Sequence, residues 1–95
     1  MLKFDSCFKD AILSGAKRST VRRSLKASVG DRFTIDGHDF VVTSVQSLLL
    51  DDACSDHYKD DGFRCAQDMY ESLLGFYPDL ELTKSIVWIH FFRAV

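Results

Sequence analysis

The sequence predicts an α+β fold, a small mixed or closed β-sheet with two main helices packed outside it. Three observations lead there. Ile86-Val87-Trp88-Ile89-His90-Phe91-Phe92 is a dense β-prone run, the pattern of a central strand buried on both faces. Arg32-Phe33-Thr34-Ile35 and Phe40-Val41-Val42-Thr43-Ser44-Val45 flank the tight connection Asp36-Gly37-His38, which predicts a hairpin. Ala66, Met69, Tyr70, Leu73 and Leu74 fall on one face of a helix running from Arg64 to Phe76.

The remaining elements follow in order. Leu2-Lys3-Phe4 is expected to form a short first strand. Asp5 or Ser6 then caps a helix carrying Phe8, Ala11 and Ile12 on its apolar side, with Leu13 adding to it. Gly15 suits the left-handed position just past that helix. Ser19-Thr20-Val21-Arg22-Arg23 reads as a strand, and Val29-Gly30-Asp31 as a turn before the hairpin. The return strand after Asp36-Gly37-His38 can continue through Leu48. The acidic, polar stretch 51–61 is expected to hold a short helical turn, broken at Asp60-Asp61-Gly62-Phe63. Pro78 ends the second main helix, because proline disfavours helix at the residue before it.

Ninety-five residues are enough for one domain spanning 1–95, with a modest core that eight phenylalanines, three tyrosines and one tryptophan can fill. No apolar run approaches the roughly 20 residues of a membrane-spanning helix, and the N-terminus does not read as a signal peptide. The expectation is a cytoplasmic protein with no membrane partner. Cys7, Cys54 and Cys65 are odd in number and fit neither a CxxC pair nor a zinc set, so reduced thiols are expected. His38, His57 and His90 are scattered, and no compact ligand spacing points to a metal or another cofactor.

The net charge of −2 conceals a segregation. Residues 1–32 hold eight bases and three acids, whereas residues 33–95 hold four bases and eleven acids. The split predicts a basic functional face on an acidic body, and the acidity of the whole argues against nonspecific duplex binding. The plain alternative is that these charges are simply solvated.

The basic segment centres on Ile12-Leu13-Ser14-Gly15-Ala16-Lys17-Arg18-Ser19-Thr20-Val21-Arg22-Arg23. A lysine three residues before a threonine places a cation near a hydroxyl, one way to make a weak nucleophile usable. The arginines supply anion-binding groups. Adjacent strand residues point to opposite faces, so only one of Arg22 and Arg23 can share a face with Thr20, and alternation selects Arg22. Arg23 is then an outer, solvated or salt-bridged residue. Trp88 and Phe91 are expected in the core, and Tyr58 is a candidate for stacking on a base. The alternative for Lys17 and Thr20 is an ordinary turn-and-strand role. Arg22 has an internal salt bridge as its own alternative.

The order apolar-Leu-Ser-Gly-x-Lys-x-x-Thr-x-Arg, then Val29-Gly30-Asp31, Asp61-Gly62-Phe63, Tyr77-Pro78 and Val87-Trp88-Ile89-His90-Phe91 resembles the ASCH domain family of the PUA-like superfamily. The resemblance covers nearly the whole chain. It implies a pseudo-barrel of about five or six strands with helices at its ends and a cleft beside the segment after the first helix. It also implies RNA or a modified nucleoside as partner. One branch of similar length comprises the small bacterial N4-acetylcytidine amidohydrolases, which are metal-independent. Similarity to them implies a catalytic set of Lys17, Thr20 and a downstream glutamate whose place falls on or beside Asp61. The aspartate is a departure. Its carboxylate sits nearer the backbone, and a displacement of about 1 Å can cost a hundredfold in rate.

As an amidohydrolase site, Thr20 would attack the acetyl carbonyl with Lys17 as base, Asp61 would orient the lysine or the exocyclic amine or shuttle a proton, and backbone N–H groups near Gly15 or Ser19 would hold the oxyanion. Ser19, Arg22, Arg18, Arg23 and Tyr58 complete the expected binding set. Two other functions stay open at this level, a non-catalytic RNA-binding or regulatory module and a ribonuclease acting on single-stranded RNA. A closed pocket would favour a nucleoside and an open groove a strand. The sequence leaves the oligomeric state undetermined.

Overall fold

The C-terminal run that is apolar on both faces organises the structure. The computed structural model describes residues 2–95. In it strand β4 (Ile86–Ala94) lies between β1 (Ser19–Arg22) and β3 (His38–Leu49), and β2 (Arg32–Ile35) extends the far edge of β3. Every pairing is antiparallel, in the order β1-β4-β3-β2. Val87 and Ile89 of β4 belong to one core cluster with Val21, Leu50, Ala53, Met69 and Leu73. Phe92 belongs to a second cluster with Leu2, Ile12, Phe33, Phe40 and Val42. A register shift between Val42 and Ser44 marks a bulge in β3, which bends the long strand and lets the sheet curl around the second cluster.

The hairpin turns at Asp36 and Gly37, both with positive φ, the conformation that two-residue hairpin loops demand. Helix α1 (Lys9–Ser14) follows a 3₁₀ turn at Ser6–Phe8, which Asp5 caps by accepting the Cys7 N–H. Gly15 ends α1 with φ +84°. Helices α2 (Leu50–His57) and α3 (Ala66–Phe76) cover the first cluster. Phe33 stacks on Phe40 at 5.3 Å between ring centres and meets Phe92 edge-on at 5.1 Å. Each such buried ring contributes on the order of 2 kcal/mol of burial free energy.

Three expectations are corrected. The sheet has four strands, not five or six, among the described residues. Leu2-Lys3-Phe4 joins no ladder. Its Leu2 is buried, its Phe4 ring packs on Phe33 and Phe92, and its Lys3 carbonyl accepts a hydrogen bond from the Arg22 guanidinium rather than from a strand. The α-helices among the described residues also number three. The acidic segment forms α2, because Leu50, Ala53 and Cys54 recur at i, i+3 and i+4 and are all buried. Asp51 and Asp52 suit its first turn, where the helix dipole favours negative charge.

His90 is wholly buried in β4. Its Nε2 accepts the Lys26 N–H at 3.1 Å, tying the β1–β2 connection to the sheet, and its Nδ1 has no hydrogen-bond partner. Burial, with Arg22 nearby as a further cause, holds its pKa below the usual 6.5. The ring is therefore neutral when folded and protonates more readily when unfolded. Its contribution to stability is present in full above about pH 6.5 and is lost as pH falls through the lowered folded value. Urea melts from pH 7.5 to 5 should show the wild type losing stability relative to His90→Gln. Parallel pH profiles for the two proteins would refute this assignment.

Candidate active site

The turn after α1 places the site. Gly15 reverses the chain, the Lys17 N–H donates to the Ala11 carbonyl at 2.9 Å, and the Lys17 side chain is carried inward. The loop 60–62 then closes over it. The Asp60 carbonyl accepts the N–H groups of both Arg18 and Ser19, at 2.6 and 3.1 Å. Gly62 holds φ +89°, and a Cβ there would lie 3.2 Å from the Lys17 Cβ, so glycine permits both the turn and the close approach.

Lys17 and Asp61 meet in this enclosure. Nζ lies 3.3 Å from Asp61 Oδ2 and donates to the Asp61 backbone carbonyl at 3.2 Å. Both side chains are only 3% exposed. Ser19 Oγ donates to Asp61 Oδ1 at 2.9 Å and fixes the carboxylate plane. The ammonium also sits 4.8 Å from the centre of the Phe8 ring and 5.9 Å from that of Phe63. Burial pushes the Lys17 pKa down and the Asp61 pKa up, against their mutual attraction. Desolvation thus favours moving the proton from the lysine to the carboxylate.

Thr20 and Arg22 stand beside this pair. Arg22 Nε donates to Thr20 Oγ1 at 3.2 Å, and the guanidinium lies 5.1 Å from the centre of the Phe4 ring. Lys17, Thr20, Arg22 and Asp61 line a cavity of about 290 Å³, whose walls also include Phe8, Phe63, Phe76 and Tyr77. The structure therefore brings together four of the sequence-selected residues. Ser19 is wholly buried and reaches the site through Asp61.

The other candidates lie elsewhere. Arg18 pairs with Asp60, and Arg23 pairs with Asp79 and lies over the Tyr77 ring. Tyr58 packs against the first core cluster and is absent from the cavity wall. The backbone N–H groups of Gly15 and Ser19 are already bonded, to Ile12 and Asp60 carbonyls, so neither is free for an oxyanion. Cys54 is buried, which pushes its thiol up to about 11, and desolvation likewise raises Cys7. Neither is an activated nucleophile. Sequence reasoning missed the aromatic wall. Phe63 and Tyr77 stand in the motifs themselves, but nothing in the linear sequence distinguishes Phe8 and Phe76 from core residues.

No family model and no curated protein matches the sequence. Among solved structures, the chain is similar to an ASCH domain, that of Lactobacillus crispatus JV V101. The two are 15% identical, the match covers 98% of this chain and 76% of that one, and the TM-score is 0.65. The fold is thus that of an ASCH domain, in agreement with what the sequence motifs resemble, and it is built here on four strands.

Removing one member of a buried ion pair leaves the other charge uncompensated. Lys17→Met should cost about 3–5 kcal/mol at neutral pH, and Lys17→Met with Asp61→Asn should recover most of it. Chemical denaturation of the two variants measures this, and a double variant no more stable than the single one would show that the charges are not coupled.

Proposed function

We propose that the 290 Å³ cavity binds a modified nucleobase and hydrolyses its exocyclic amide, with N4-acetylcytidine as the substrate of this type. The observation that carries the reading is that one cavity holds Lys17, Thr20, Arg22 and Asp61 together with the rings of Phe4, Phe8, Phe63, Phe76 and Tyr77, in a lining that also includes Lys3, Asp5 and Ser72. A flat base suits the aromatic rings, and an acyl carbonyl suits the cationic groups. The ASCH-type fold supports an RNA-related ligand at the level of the family.

In this reading Thr20 Oγ attacks the acetyl carbonyl, and its proton passes to neutral Lys17. The resting ion pair would reach that form by passing the Lys17 proton to Asp61, a transfer that desolvation eases by lowering the lysine pKa and raising that of the carboxyl. The developing oxyanion is held by Arg22, whose guanidinium has five N–H donors and uses Nε on Thr20 and one NH2 hydrogen on the Lys3 carbonyl. The proton on Lys17 is delivered to N4 as the C–N bond breaks and cytidine leaves. Water then attacks the acyl-threonine, releasing acetate and restoring the hydroxyl. Asp61 acts through Lys17, and Ser19 positions Asp61.

The shorter carboxylate is compatible with this role. The Gly62 turn brings the backbone of the loop against Lys17, so an aspartate spans the distance.

Purified protein incubated with N4-acetylcytidine should release cytidine and acetate. Thr20→Val should lower kcat by at least about a hundredfold while the melting temperature changes little. No release by the folded wild type would sink the hydrolase reading. Saturable nucleoside binding in that same experiment would leave recognition without catalysis.

A further inference from the structure

Arg23 and the Tyr77-Pro78 pair stand out in the sequence, yet the proposed reaction uses neither. The structure joins them. Tyr77 leaves the end of α3 and lines the cavity. Its backbone is held on both sides. Its N–H donates to the Leu73 carbonyl at 2.8 Å, and its carbonyl accepts the N–H of the buried Leu80 at 3.2 Å. Pro78 disfavours helix at Tyr77 and fixes the end of α3 there. The Arg23 guanidinium lies 5.4 Å from the centre of the Tyr77 ring and pairs with Asp79, in the same turn as the tyrosine. Arg23 and Asp79 are both exposed, and neither lines the cavity. Arg22, which does line it, is close enough to the Tyr77 phenol for the two to interact electrostatically.

The other rings of the cavity are committed to partners within it or to the core. Phe4 packs on Phe33 and Phe92 and has Arg22 on its ring. Phe8 and Phe63 surround the Lys17 ammonium, and Phe76 packs against Phe8 at 5.9 Å. Tyr77 differs in that the cation holding its ring lies outside the cavity. We propose that Tyr77 is the platform on which the base stacks, and that Arg23, backed by Asp79, is a positioning residue that fixes the plane of the ring from its outer face. The inference rests on the reading of the cavity as a base pocket. A ring fixed in advance by a cation on one face needs no ordering when a flat ligand arrives on the other. An exposed pair such as Arg23–Asp79 contributes little to stability, so its use lies in this placement. The base is thereby brought toward Arg22, which holds the oxyanion in the proposed reaction.

The test measures equilibrium binding and steady-state hydrolysis of N4-acetylcytidine by wild type, Tyr77→Leu, Tyr77→Phe and Arg23→Ala, with proton NMR of the bound ligand. In wild type the base protons should move upfield on binding, the signature of stacking over a ring. Tyr77→Leu should weaken binding at least about tenfold and reduce that shift, and Tyr77→Phe should restore both. Arg23→Ala should weaken binding about threefold, through KM rather than kcat, with little change in melting temperature. That substitution, at the surface, carries the test even where Tyr77→Leu fails to fold. Unchanged affinity and an unchanged shift in Tyr77→Leu overturn the platform. An effect of Tyr77→Leu with none of Arg23→Ala overturns the positioning role. Tyrosine-dependent binding without acetate release upholds the platform and refutes the amidohydrolase reading alone. Acetate release with the same KM in all four proteins does the reverse. No binding by the folded wild type overturns both.

Discussion

The contact between Lys17 and Asp61 constrains the rest of the site. Two opposite charges, each almost wholly removed from water, cost several kcal/mol to desolvate, and their attraction returns this only when the surrounding donors and acceptors are complete. They are nearly complete here. Lys17 has a carboxylate, a backbone carbonyl and two aromatic rings around it, and Asp61 has Ser19 on its other oxygen. That arrangement requires the 60–62 loop to press onto residues 17–19. The pressing is done by two backbone hydrogen bonds to Asp60 and by a glycine at position 62. A residue with a side chain at 62 would meet both a left-handed backbone and the Lys17 Cβ. The pair is therefore held by loop geometry as much as by Coulomb attraction.

The same contact belongs to a larger pattern of charge. The N-terminal third looks like a basic face when read in sequence, yet half of its eight bases pair with carboxylates from the acidic remainder. Lys9 pairs with Asp36, Lys17 with Asp61, Arg18 with Asp60 and Arg23 with Asp79. The segregation thus serves largely to join the first segment to the body that folds against it. Three of these pairs are exposed and individually weak. Among the other bases of this segment, Arg22 and Lys3 line the cavity.

Much of the fold could be read from periodicity because few competing patterns exist in this chain. Apolar residues on both faces marked β4 as central, and Asp36-Gly37 marked the hairpin. Gly15 marked the end of α1. The errors have physical causes. Helix α2 was obscured because three aspartates, Asp51, Asp52 and Asp56, sit on its wet face and dominate its composition, although its buried face is regular. The segment Leu2–Phe4 has β-like residues but spends them on side-chain packing, and its carbonyl goes to an arginine. At the site, the placing of the lysine, threonine and arginine on one turn and strand was legible from spacing, and their roles only from the family resemblance. That Asp61 reaches Lys17 was not, since the distance depends on a glycine-shaped loop 44 residues away in sequence.

The chemistry available to the cavity follows from which proton positions burial permits. In water a lysine beside an aspartate remains an ammonium beside a carboxylate, and neither acts as a base on a hydroxyl. Removing water penalises both charged forms together, so desolvation draws Lys17 and Asp61 toward neutrality by one internal proton transfer over 3.3 Å. Arg22 bears on the same balance. Its fixed charge lowers the pKa of both Lys17 and Asp61, and its Nε–H on Thr20 Oγ1 stabilises negative charge on that oxygen. A bound aromatic ligand that displaces water from the cavity would strengthen each of these effects, because the same charges then interact through a medium of lower dielectric. The aromatic wall and the polar cluster are in this sense one device. In the proposed reading the rings would both receive a flat ligand and dry the groups that act on it.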